Sequence, residues 1–187
     1  FKHAGPVRKA MGIRTLFNIL GPLVNPAKPN IMLMGVYIPE LITPMAQALH
    51  LTGVEQAWIV HGSGLDEIAL HGTTEVTEIS NGTLTHKQIS PEDFGLQRYT
   101  LADIKGGTPQ ENAAIVNDIL KGKGQQAHNS AVIINCAALL YLHREQLDGK
   151  ADTLKLAAQY ASQVLKSGKA WNTLEALVEE SNSQENI

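Results

Sequence analysis

Two continuous apolar runs, separated by one helix-length segment, constrain this chain more than any other feature. Residues 31–38 read Ile-Met-Leu-Met-Gly-Val-Tyr-Ile, bounded by Pro29-Asn30 and Pro39. Residues 57–61 read Ala-Trp-Ile-Val-His. An apolar run without alternation predicts a strand buried on both faces. Pro39 suits a helix start, and the segment to about Leu51, closed by Gly53, predicts a helix. Strand, helix, strand in this order is a βαβ unit, with parallel pairing and a right-handed crossover.

The rest of the chain adds to that unit. Residues 67–90 hold two β-rich runs around Asn81-Gly82, a favoured type I′ hairpin turn, so the sheet should be mixed. Thr108-Pro109-Gln110-Glu111 has the signature of a helix start: a Thr cap, Pro at the first position and Glu at the third. An apolar stripe of Ile115, Val116, Ile119 and Leu120 follows, ending near Gly122. Residues 131–142 are apolar nearly all round and predict a buried helix. Leu154, Ala157, Ala158, Ala161 and Leu165 form a further stripe stopped by Gly168. A last amphipathic helix covers about 170–180, and the polar tail beyond it should fray. Residues 6–20 also read as helical, with Gly12 dividing them. The expected fold class is α/β: a mixed sheet with a βαβ core and a hairpin, flanked by helices.

Composition sets limits on function. At 187 residues the chain suits one domain, and no linker or repeat divides it. Its charged fraction of 18% is low, which points to extensive burial or interfaces. No run of about 18 apolar residues predicts a membrane span, and the first residues lack a signal-peptide layout. A single cysteine, Cys136, excludes an internal disulfide. A cytoplasmic location is therefore expected. A net charge of −3 disfavours a dedicated nucleic-acid binder.

The segment His61-Gly62-Ser63-Gly64-Leu65-Asp66-Glu67 follows the second buried strand, where ligands of open α/β sheets sit. Two glycines permit a tight turn and close approach. In an irregular turn the adjacent carboxylates Asp66 and Glu67 can converge on one cation, and magnesium often takes one or two carboxylates plus substrate phosphates. Taken alone, the pair reads as solvated loop charge before it reads as a ligand set. Arg8 could grip a carboxylate through paired hydrogen bonds, or form an ordinary surface ion pair. Arg14, beside an apolar face, reads as a structural ion pair. The histidines have no zinc-like spacing, so each reads as solvated or core. Asn18 and Asn25 suit capping and turns. Asn135, in the most apolar helix, must find hydrogen-bond partners. Gly106-Gly107 reads as a flexible turn before it reads as an anion nest. Ser63 lacks Gly-x-Ser-x-Gly spacing, and no Gly-x-x-x-x-Gly-Lys-Ser/Thr or Gly-x-Gly-x-x-Gly loop occurs.

Residues 6–26, Pro-Val-Arg-Lys-Ala-Met-Gly-Ile-Arg-Thr-Leu-Phe-Asn-Ile-Leu-Gly-Pro-Leu-Val-Asn-Pro, closely resemble a signature of the anthranilate phosphoribosyltransferases. Gly64-Leu65-Asp66-Glu67, Glu92-Asp93-Phe94-Gly95, Gly106-Gly107 with Glu111-Asn112-Ala113, Asn135 with Ala137-Ala138, and Ser167-Gly168-Lys169-Ala170 extend the resemblance over essentially the whole chain. It implies transfer of the phosphoribosyl group from phosphoribosyl pyrophosphate to anthranilate, in tryptophan biosynthesis, with Mg2+ as the cation. It also implies a nucleoside phosphorylase-like fold, with a small helical domain beside a large α/β domain, and a homodimer paired through the helical domain. By the same resemblance Arg8 matches the arginine that contacts the anthranilate carboxylate, and Asp66 and Glu67 match the magnesium-binding pair. The family's Gly-Thr-Gly-Gly-Asp and Lys-His-Gly-Asn-Arg segments are absent from this sequence. Residues 1–187 are therefore expected to be the C-terminal portion of the α/β domain, without the helical domain and phosphate loop, and inactive alone. The alternative is a non-catalytic, nucleic-acid-binding relative of the same fold.

Overall fold

The computed structural model describes Gly21 and residues 23–183. The stretch at 6–20 expected to be helical, with Arg8, Arg14 and Asn18, lies outside them.

Four strands form one mixed sheet in the order β1-β2-β3-β4. They are β1 (Ile31–Gly35), β2 (Gln56–His61), β3 (Thr74–Ser80) and β4 (Thr83–Ile89). β1 and β2 pair in parallel across α1 (Ile42–Leu51), as the βαβ reading requires. β2–β3 and β3–β4 are antiparallel. The β3–β4 turn is Asn81-Gly82, both with positive φ (48° and 77°), the backbone a two-residue type I′ turn needs.

β2 explains why the sheet is covered on both sides. Ala57, Trp58, Ile59 and Val60 are fully buried, and successive residues of a strand face opposite ways. Ala57 and Ile59 join Met34, Val36, Ile79 and the α1 residues Ile42, Met45, Ala46 and Leu49 in one core. Trp58 and Val60 join Ile68, Leu70, Val76 and Phe94 in another, packed on the C-terminal helices. The later helices are α2 (Pro109–Leu120), α3 (Gln126–Leu142), α4 (Leu154–Lys166) and α5 (Lys169–Ser183). The architecture is three layers, with α1 on one face and α3 and α4 on the other.

Two boundaries and the burial of one helix differ from the sequence reading. β1 ends at Gly35 and not near Ile38. Val36 still donates its N–H to the Val60 carbonyl (2.9 Å), but the chain then bends into a 3-10 turn at Pro39–Leu41 before α1 begins. α3 is less buried than its composition suggests. Ala137 and Ala138 are in the core, while Leu139 is 41% exposed and Cys136 is exposed. Its outer face borders a shallow apolar groove with Tyr160 and Val164 of α4. α5 continues to Ser183, past the expected fraying point.

Candidate metal-binding turn

β1 and β2 run parallel, so their carboxyl ends, Gly35 and His61, share one edge of the sheet. The chain leaving β2 makes a tight turn there. Gly62 and Leu65 exchange both backbone hydrogen bonds (2.9 and 3.1 Å), and the two residues between them, Ser63 and Gly64, have φ of 50° and 101°. The turn sends the next residues back over the end of β1. A Cβ at Gly35 would overlap the Asp66 carbonyl, and one at Gly62 would overlap the Glu67 carbonyl. Glycine at these positions is thus the condition for Asp66 and Glu67 to lie where they do.

Beyond Glu67 the backbone is anchored. The Ile68 N–H donates to Asn135 Oδ1 (3.1 Å), and the Ala69 N–H to Thr74 Oγ1 (3.0 Å). Asn135 in turn donates to the Ala131 carbonyl (2.9 Å). The amide that had to find partners within an apolar helix therefore reaches across to the carboxylate segment. It is half-buried, not fully enclosed.

Asp66 and Glu67 are both exposed. The Glu67 carboxyl is nevertheless pushed above the ordinary carboxylate value, first by partial desolvation and second by the adjacent Asp66 charge. Two neighbouring carboxylates that repel each other at an exposed, glycine-cradled edge suit a divalent cation, whose charge relieves the repulsion. Among the described residues no group of three or more His, Cys, Asp or Glu side chains could hold a metal. A cation held by this pair alone would have to take its other ligands from water or from a bound molecule.

The other sequence candidates fall out as follows. Asn25 makes a local turn, its Oδ1 accepting from the Ala27 N–H (3.0 Å). The Gly106-Gly107 segment is closed by its own helix: Gly107 N–H donates to Asn112 Oδ1 (2.8 Å) and Thr108 N–H to Glu111 Oε2 (2.7 Å). A cavity of about 490 Å³ opens on the α1 face beside Thr43, His61, Glu75 and His86; neither carboxylate lines it. His61 and His71, read from sequence as solvated or core, instead both contact the turn at 62–65. His61 Nε2 accepts from the Gly64 N–H (3.2 Å), and His71 Nε2 lies 3.1 Å from the Ser63 carbonyl. The one sequence signal for this was the position of His61, at the last residue of a buried strand and directly before the glycine turn.

Residues 1–171 match the model of the glycosyl transferase family, a/b domain. Over 97% of its length the chain is 69% identical to an anthranilate phosphoribosyltransferase from Colwellia psychrerythraea, covering 48% of that protein. A crystal structure of anthranilate phosphoribosyltransferase from Thermus thermophilus superposes with a TM-score of 0.81 at 40% identity, over 95% of this chain and 51% of that one. The Saccharomyces cerevisiae anthranilate phosphoribosyltransferase in complex with PRPP and Mg gives a TM-score of 0.83 at 31% identity, over 97% and 51%. The chain thus spans about half the length of the curated relatives it matches.

Proposed function

The chain belongs to the glycosyl transferase family, a/b domain, and on that footing we propose that it supplies the magnesium-binding and carboxylate-binding part of an anthranilate phosphoribosyltransferase. The reaction joins anthranilate to phosphoribosyl pyrophosphate, giving phosphoribosyl-anthranilate and pyrophosphate. The observation that carries the reading is the Asp66-Glu67 pair held over Gly35 at the carboxyl edge of the sheet. The relatives in whose fold it is held are anthranilate phosphoribosyltransferases, one of them solved with PRPP and Mg.

In this reading Asp66 and Glu67 bind Mg2+ on the pyrophosphate, where the bound ion offsets charge on the leaving group. Arg8, outside the described residues, takes the anthranilate carboxylate. The protein's work is to hold the amine, the sugar carbon and the pyrophosphate in line in a fixed electrostatic setting, and no covalent intermediate is needed. The glycine-rich phosphate segment that the resemblance implies does not occur in residues 1–187, and in this reading these residues alone are inactive. The complete enzyme is a cytoplasmic homodimer. Among the described residues no helix is long and apolar enough to cross a membrane, and the net charge of −3 gives the nucleic-acid alternative no support.

The test is pyrophosphate release from phosphoribosyl pyrophosphate and anthranilate. It compares the chain alone with the chain joined to the portion of the Colwellia relative that the match leaves uncovered. Magnesium-dependent release by the assembly and none by the chain alone is expected. Release by the isolated chain, or none by a folded assembly, would contradict the proposal.

A further inference from the structure

We propose that His61 and His71 are positioning residues for the magnesium pair, holding the left-handed Ser63-Gly64 turn from which Asp66 and Glu67 are aimed; this rests on the magnesium reading above. Ser63 at φ 50° is a non-glycine residue in a strained backbone region, and such residues persist only where their surroundings fix them. Three side-chain contacts fix this one. Ser63 Oγ donates to the Thr73 carbonyl (2.7 Å). His71 Nε2 donates to the Ser63 carbonyl (3.1 Å). His61 Nε2 accepts the Gly64 N–H (3.2 Å).

The His61 ring does more than satisfy Gly64. Its Nδ1 lies 2.9 Å from the Val36 carbonyl. A backbone N–H can only donate and a carbonyl can only accept, so one proton placement serves both contacts: hydrogen on Nδ1, a lone pair on Nε2. Val36 follows Gly35, over which the Asp66 carbonyl passes. One imidazole therefore ties the end of β1, the end of β2 and the turn to one another. These are the three segments whose relative placement sets the direction of the two carboxylates. Neither histidine needs to touch the metal or the pyrophosphate to control how tightly they are held.

The experiment uses the assembled enzyme and three substitutions of His61. In H61Q the side-chain oxygen reaches the Nε2 position and keeps an acceptor for Gly64. In H61N the amide reaches only the Nδ1 position and keeps a donor for Val36. H61L keeps neither. H61Q and H61N, each lacking one of the two ties, are expected to weaken magnesium-dependent binding of phosphoribosyl pyrophosphate by threefold or more, and H61L, lacking both, at least tenfold. H71Q should weaken it less than H61N does. Nitrogen-15 NMR of the wild-type imidazole supplies a readout that needs no variant and no ligand: hydrogen on Nδ1 and none on Nε2. A wild-type Nε2–H tautomer overturns the proposal. So does normal wild-type binding that H61N leaves unchanged. Failure of the folded wild-type assembly to bind phosphoribosyl pyrophosphate with magnesium overturns the magnesium reading itself, and the positioning role with it.

Discussion

The Asp66 carbonyl lies so close over Gly35 that no side chain fits between them. The contact is backbone against Cα, so no rotamer change can relieve it. Gly35→Ala should cost about 1–3 kcal/mol through overpacking. It should also shift the Asp66-Glu67 segment, weakening magnesium-dependent binding at least tenfold. Gly21→Ala is the control, because among the described residues nothing lies within 4 Å of a Cβ there. Thermal unfolding and a magnesium titration on both variants check this; equal effects would remove Gly35 from the account.

Glu78 lies under a small ion-pair cluster on the hairpin. It accepts from Trp58 Nε1 (3.0 Å) and from Lys87 Nζ (2.7 Å), and Lys87 stands 4.2 Å over the Trp58 ring. Desolvation acts to raise the Glu78 carboxyl. The hydrogen bonds from Lys87 and Trp58, with the Lys87 and Arg144 charges, outweigh it, and the net direction is down. The stabilisation is therefore in force above the ordinary carboxylate range and is lost as pH falls through the lowered value. Lys87→Met should cost about 1 kcal/mol near neutral pH. Denaturant unfolding should show that difference shrinking in acid; a gap independent of pH would contradict it.

Glu92 is tied to Arg98 (2.7 Å) on the surface. The Arg98 hydrogen bond, first among several, draws the Glu92 carboxyl down to about 2. Arg98→Ala should return it toward the ordinary range in a carbon-13 NMR titration. Because the pair is exposed, the unfolding temperature near neutral pH should scarcely change. A Glu92 midpoint unmoved by the substitution would show that other groups set it.

Thr108 caps α2 in a reciprocal box with Glu111: Glu111 N–H donates to Thr108 Oγ1, and Thr108 N–H to Glu111 Oε2. Thr108→Ala should cost about 1 kcal/mol. Hydrogen exchange should quicken in the first turn of α2 and leave β2 unchanged.

The elements that could be read from sequence are those whose signal is local. The apolar runs at β1 and β2, the Asn81-Gly82 turn and the Thr108 box each announce themselves within a few residues, and all four stand in the structure. The two carboxylates were legible as a pair, but what aims them was not. Gly35 and Asp66 are 31 positions apart in the chain, Asn135 reaches Ile68 across 67, and no periodicity encodes such a contact. The end of β1 is hidden for the same reason: residues 36–38 are apolar enough to continue a strand, but nothing local reveals the turn that crosses Gly35. The histidines carry no metal-ligand spacing, and their partners are backbone groups of a turn that no local pattern specifies.

The most direct test of the central claim is calorimetric titration of phosphoribosyl pyrophosphate into the assembled enzyme, with and without magnesium, for the wild type and for Asp66→Asn/Glu67→Gln. The account predicts magnesium-dependent binding by the wild type and a loss of at least tenfold in the double variant, with the fold intact by circular dichroism. Magnesium-dependent binding of equal strength in both proteins would contradict it.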